Sequence, residues 1–262
     1  MEPGRDARLA CRDDGEGSCS VDIVLYLIVA ILLGGAIGAA INVLATRLPA
    51  DLPLRGPALW SGPKDEPGDP NPRWHIPYLG ARDPESGAID WPNLGTQLGA
   101  ALVSAAALFL HGFSLAGLEA LVLASLLLTI LRIDWQHHLI FMFTIWPGIF
   151  IALVFSLATS PSDLVSSAIA GLAAAAAFLG FYFLAILIYK QRALGLGDVF
   201  LAGLIGTMVG LEFIAQAILL GMMAGALGGL FLIAIKVRTR KDYIPYGAYL
   251  SLAAIIFVLF TA

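Results

Sequence analysis

The apolar residues of this chain fall in runs too long for a soluble core, and that one feature restricts the fold more than any other. A helix that crosses a bilayer needs about 20 mostly apolar residues. Eight stretches approach or exceed that length: 22–46, 94–111, 115–131, 139–158, 163–189, 198–211, 213–235 and 244–261. The apolar region from 198 to 235 is too long for one crossing, so a break is expected at Leu211-Glu212. Over 262 residues the chain is 59% hydrophobic and only 13% charged, which excludes an ordinary soluble domain. The expected fold is all-α, a polytopic integral membrane protein with about eight transmembrane helices. Its parts are a polar tail (1–21), a first span (22–46), a long polar loop (47–93) and a membrane core of seven helices (94–262).

Orientation follows from the Lys and Arg residues, because loops on the cytoplasmic side hold positive charge in excess. Twelve of the fifteen fall in the loops after spans one, three, five and seven, and none in the loops after spans two, four and six. The other three, Arg5, Arg8 and Arg12, share the tail with five acidic residues, and Asp22 follows at the start of the first span. The tail is therefore expected outside and the 47–93 loop inside. The tail lacks the basic start and cleavage site of a signal peptide, so the first span is expected to remain as a membrane helix. Cys11 and Cys19 are the only cysteines, and they fit a small disulfide loop on an oxidising face as well as a pair of free thiols.

Ten prolines between Pro49 and Pro92 rule out a long helix in the inner loop. Its Trp60, Trp74, Tyr78 and Trp91 suit either an interfacial linker or a platform for substrate. No metal site is expected. There is no CxxC pair, and adjacent His137 and His138 would point about 100° apart on a helix. His111 and His75 read as structural. The small-residue stretches at 171–180 and 221–229 read as close helix packing.

Beyond Asp22 and outside the long loop only six acidic residues remain. Glu119 and Asp163 fall in the expected first turns of outer helix starts and Glu212 at the break, where negative charge complements the helix dipole. Asp242 follows Arg240 and Lys241 and reads as an exposed ion pair. Asp134, in the string RID, and Asp198, in GLGD, are left, each where an apolar segment meets a loop on the inner side. A carboxylate there is costly unless it is solvated, paired or protonated. Asp198 after a glycine turn also suits a helix N-cap, and Asp134 could be balanced by Arg132 or the neighbouring histidines. If the helix ends bring the two acids together, like-charge repulsion leaves one proton between them. One acid can then activate water while the other protonates a carbonyl or leaving nitrogen, which is peptide hydrolysis without metal. Gly195 and Gly197 would let backbone or substrate approach Asp198 closely.

These strings resemble the type IV prepilin peptidases, bacterial GxGD membrane aspartic proteases. GAAINVLATRLP (38–49) is similar to that family's GSFLNVVIxRLP, with Asn42 and Arg47 in place. LRIDWQHHLI aligns Asp134 with the first catalytic aspartate, and LGLGDVFLAGLIG aligns Asp198 with the second. IPYGAYLSLAA is similar to PFGPFLALxA, with Pro245 and Gly247 in place. The chain departs from the pattern at Phe200 for a lysine, at Phe141-Met142 for Pro-Asp, and at Ala248 for the second proline of PFGP. The inner loop lacks the four zinc cysteines of many members.

The resemblance implies catalysis by Asp134 and Asp198, with Gly195, Gly197, Pro245, Gly247, Asn42 and Arg47 supporting the site or binding substrate. It implies cleavage of the basic leader of type IV prepilins or type II secretion pseudopilins at the cytoplasmic face of the bacterial inner membrane. Proteolysis needs no cofactor, whereas S-adenosylmethionine would serve any N-methylation that follows. The expected partners are the prepilin-like substrate and the lipid bilayer, with no nucleic acid. The alternatives are an inactive family scaffold in pilus or secretion assembly and a proton-coupled transporter using the same carboxylates.

Overall fold

The computed structural model describes residues 15–49, 78, 89–190, 195–236 and 245–261. They form seven helices: α1 (Gly15–Arg47), α2 (Trp91–His111), α3 (Leu115–His137), α4 (Met142–Thr159), α5 (Pro161–Tyr189), α6 (Leu196–Ala234) and α7 (Tyr246–Thr261). Six of them are long and apolar enough to cross a membrane, and α7 is a shorter apolar helix. The protein is thus an all-helical, polytopic membrane protein, but the described residues give seven helices rather than eight. The difference lies in α6, where the two spans expected at 198–211 and 213–235 form one 39-residue element.

A straight helix of that length would be about 58 Å long, roughly twice the hydrocarbon thickness of a bilayer. It is broken at Gly210, whose φ of 72° and ψ of 178° suit glycine. The break falls just before the expected Leu211-Glu212, and the Leu211 N–H it frees donates to Ser166 Oγ at 3.1 Å. Beyond the break the chain runs antiparallel to α7, with Gly221 against Leu250 and Gly225 against Tyr246. The second half of α6 therefore returns to the end of the bundle from which the first half set out.

Local sequence explains the helix starts. Asp90 accepts from the Asn93 N–H at 3.3 Å to begin α2, and Ser114 and Ser160 do the same for α3 and α5 through Gly117 and Asp163, at 3.1 and 3.2 Å. His138 and Lys190 take left-handed backbone conformations and close α3 and α5. Asp163 lies in the first turn of α5 as expected, whereas Glu119 lies beyond the first turn of α3. The Cys11–Cys19 pairing, nearly all of the Pro-rich loop and Asp242 lie outside the described residues.

α3 is the central helix. Within its spanning window 56% of residues are buried, against 17% for both α4 and α5, whose outer faces carry exposed residues such as Phe150, Leu172 and Leu187 suited to lipid. Leu123, Leu127 and Ile130 of α3 pack in one buried cluster with Leu201, Leu204 and Ile205 of α6 and Leu250 and Val258 of α7. At the far end His111 Nε2 bonds the Leu259 carbonyl at 2.8 Å, tying α2 to α7.

Lipid tails are as apolar as the side chains, so helix contact relies on close packing of small residues. The α1–α2 and α5–α6 pairs show it: a Cβ on Gly34 would lie 2.3 Å from Ala101 Cα, and one on Gly206 only 2.5 Å from the Ala170 carbonyl oxygen. Gly206→Ala is accordingly expected to push α5 from α6 and cost roughly 1–3 kcal/mol. Gly180→Ala, with nothing within 4 Å of the added carbon, is expected to be harmless. Thermal unfolding of both variants in the same detergent checks the contrast.

Candidate active site

α3 ends, and α6 and α7 begin, at one end of the bundle. A helix start leaves its first backbone N–H groups without intrahelical partners, and two such starts face acidic side chains here. Asp134 is expected where a span meets a loop. It lies instead inside the last turn of α3, with its own carbonyl accepting from the His138 N–H at 2.9 Å. Its carboxylate reaches the start of α7, where the Ala248 N–H donates to Oδ2 at 2.7 Å and the Gly247 N–H bonds it as well. Asp134 is in effect a cap for α7 supplied by a different helix. Asp198 occupies the first turn of α6, and its Oδ2 accepts from the Gly195 N–H at 3.1 Å.

Both carboxylates are 4% exposed, so these bonds replace most of their hydration. They lie close enough for the charge of Asp134 to act on Asp198. Each uses Oδ2 for a backbone donor.

Glycines make the convergence sterically feasible. A Cβ on Gly247 would lie 3.0 Å from Asp134 Oδ2 and 2.9 Å from Ile140 Cδ1, and one on Gly197 would lie 3.0 Å from Ile140 Cβ. Ile140, in the short α3–α4 connection, therefore touches the glycine beside each acid. Gly195 adjoins Asp198 Oδ2, and Pro245 is buried directly before α7. Tyr246, half-buried and next to Gly247, is near enough to Asp198 to feel its charge.

Asn42 and Arg47 are placed differently. Asn42, only 1% exposed, donates from Nδ2 to the Asn93 carbonyl at 3.0 Å, and Arg132 Nη2 donates to Asn93 Oδ1 at 3.1 Å. Asn93 Nδ2 in turn donates to Asp90 at 2.5 Å. Arg132 precedes Asp134 by two residues, about 200° around the helix, so it faces α2 while Asp134 faces α7. Arg47 is buried at the end of α1. The expected site residues thus divide between a carboxylate centre on α3, α6 and α7 and a buried polar chain that ties α1 and α2 to α3.

Asp90, Asn93, Tyr246, Ile140 and the Ala248 N–H escape a reading by residue type. Asp90-Trp91-Pro92-Asn93 does carry a helix-start signal, an N-cap acid followed by proline, and Asn93 and Gln97 are two polar residues one turn apart on an apolar span. Two departures from the resembled pattern fall beside the acids without touching their bonds. Phe200 packs against Trp146 with ring centres 6.2 Å apart, and Phe141 stands at the N-cap of α4 without a side-chain cap bond.

The remaining membrane-level acids sit at the other end, where Glu119, Asp163 and Glu212 line a cavity of about 250 Å³ together with Ser166 and Thr159. Among the described residues no group of three His, Cys, Asp or Glu side chains is placed to hold a metal ion.

Residues 121–230 match the model of the type IV leader peptidase family. A prepilin leader peptidase/N-methyltransferase of Pseudomonas putida is 28% identical over 166 residues, which cover 62% of this chain and 57% of that relative. The chain thus spans little more than half the length of the relative it matches. No solved structure matches the chain. Asp134 and Asp198 both lie within residues 121–230, the segment over which the chain is similar to the type IV leader peptidase family.

Proposed function

We propose that the protein is a membrane aspartic endopeptidase that removes the basic leader of prepilin-like substrates, type IV prepilins or type II secretion pseudopilins. The observation that carries this reading is the convergence of Asp134 and Asp198, buried and within range of each other's charge, in the segment matched by the leader peptidase family. Two carboxylates brought together at one site share one proton. The ionised one takes a proton from water as the water oxygen attacks the scissile carbonyl carbon. The neutral one gives its proton to the carbonyl oxygen. Collapse of the tetrahedral intermediate breaks the C–N bond, the carbonyl oxygen returns its proton, and the acid that took up the water proton protonates the leaving amine. Atoms and charge balance, and the pair ends as it began.

Arg47, Arg132, Lys190 and Lys236 all lie at the bundle end that holds the acids, because each follows or closes a helix there. An excess of positive residues favours the cytoplasmic side, so this end faces the cytoplasm and the N-terminal tail lies outside. The bacterial inner membrane is the setting that fits such a substrate. A basic leader would approach from the cytoplasm while the apolar helix that follows it lies in the bilayer.

The name of the Pseudomonas putida relative includes N-methyltransferase. An equivalent activity here, with S-adenosylmethionine as donor, would belong to the α1 end and the loop after it. Of that region, Asn42 is engaged with Asn93 through Nδ2, while Asn42 Oδ1, Gln97 Nε2 and Arg132 Nε are buried without a hydrogen-bond partner among the described residues. Proteolysis is independent of that group.

Asp134→Asn and Asp198→Asn are each expected to lower leader cleavage by at least about 10²-fold while the protein still inserts and accumulates. Co-expression with pilin-like substrates of the same genome, reading product size and N-terminus, measures it. Normal processing by either variant sinks the paired-acid reading, and failure of the unaltered protein on its cognate substrate favours a scaffold.

Gly247→Ala places a carbon 3.0 Å from Asp134 Oδ2. A misplacement of even about 1 Å can cost on the order of 10²-fold in rate, and a loss of that order is expected in the same assay. Unchanged cleavage by this variant would show that the approach of α7 to Asp134 does not matter to the chemistry.

A further inference from the structure

The string IPYG-Ala248 parts from the resembled PFGP at its last residue, and the structure gives that difference a physical content. Proline has no backbone N–H. Ala248 has one, and it donates to Asp134 Oδ2 at 2.7 Å, at the short end of the range for a bond to an ionised acceptor. A chain with proline at this position could hold the aspartate from α7 only through the preceding glycine.

We propose that the Ala248 N–H is a positioning group for the reaction: it fixes Asp134 Oδ2 against the start of α7 and leaves the other carboxylate oxygen for water and the partner acid. The proposal rests on the reading of Asp134 as a catalytic acid and adds to it a residue-level device of this chain. Three features make the bond effective. Asp134 is almost wholly buried, so water cannot substitute for a lost donor. The N–H belongs to the first turn of α7, where it has no helical duty, so all of its donor capacity is available. Asp134 sits in the last turn of α3, with the His138 N–H bonded to its backbone carbonyl only, so the direction of its carboxylate depends on what holds it from the opposite helix.

Two other groups face the same carboxylate. The Gly247 N–H shares the work of holding it, and Asp198 of α6 is near enough to feel its charge. Loss of the Ala248 donor would therefore loosen Asp134 without releasing it. The effect belongs in turnover, because Ala248 is itself buried and offers no surface to a substrate.

The test compares four proteins in detergent on one synthetic prepilin-like peptide, with kcat and KM resolved: unaltered, Asp134→Asn, Ala248→Pro and Ala248→Ser. Proline is expected to be accommodated in the first turn of a helix, and it is the residue that the resembled string carries. Ala248→Pro is expected to lower kcat by roughly tenfold or more, the loss that removal of one hydrogen bond to a charged group produces, with KM unchanged. Ala248→Ser keeps the N–H and is expected to retain clearly more of kcat than Ala248→Pro does.

Replacement of the residue 248 amide by an ester, through incorporation of lactic acid, removes the N–H with no added ring. It is expected to reproduce the proline loss even where Ala248→Pro accumulates poorly. Full activity of Asp134→Asn would overturn the catalytic reading itself. An inactive Asp134→Asn alongside an ester variant of unaltered kcat would overturn the positioning role alone. An equal fall in kcat for Ala248→Ser would do so too, because it would trace the effect to side-chain packing.

Discussion

Unpaired backbone N–H groups at the starts of α6 and α7 are what allow two carboxylates to remain buried in an apolar bundle. Asp198 takes the Gly195 N–H and Asp134 takes those of Gly247 and Ala248. Each bond serves both partners, since an open helix start and a buried acid are both expensive when left alone. The same bonds limit where the helices can go. α3 has to end where α7 starts, α6 has to begin beside them, and glycine has to occupy 197 and 247 so that Ile140 can lie against both. A structural cap and a catalytic acid are therefore compatible roles for one side chain, because each aspartate uses Oδ2 for the cap and has a second oxygen.

The rest of the bundle holds that arrangement in place. α3 runs through the centre, walled by α6 and α7 on the side of its acid and by α2 on the side of Arg132. Small residues let α5 approach α6 and α1 approach α2 nearly backbone to backbone. The break at Gly210 turns the chain so that both halves of α6 border the site: the first half carries Asp198, and the second packs against Tyr246 and Tyr249 at the start of α7. Without that reversal α7 would start at the wrong end and Asp134 would have no backbone donors to meet.

Run length and sparse charge made the spans readable in sequence to within several residues, because the bilayer imposes a minimum length on every crossing. The count was less readable, since a break in a helix needs only one residue in an unusual conformation. Glycines are frequent in this chain, and Leu211-Glu212 drew attention by polarity while Gly210 does the turning. Asp134 and Asp198 stood out because charged residues at membrane level are few. Their donors did not stand out, as a backbone N–H carries no letter of its own. The Asn93 chain was missed for a related reason. Asp90 counts as part of the polar loop until the helix that it caps is placed, and only then do Asn42 and Arg132 acquire a common partner.

The departures from the resembled pattern separate into two kinds once they are located. Phe200 and Phe141-Met142 lie on the α4 side, where Phe200 meets Trp146 and Phe141 begins the helix, and none of them bonds a carboxylate. They replace charged or conformationally fixed residues by apolar ones, which changes the surface beside the acids and leaves the acids' own bonds intact. Ala248 is of the other kind, because it alters the donor set of Asp134 directly. On the proposed reading, changes of the first kind would bear on which peptide the site accepts, and a change of the second kind on how well the pair transfers protons. Because the two sets of contacts share no residue, one can be altered without the other.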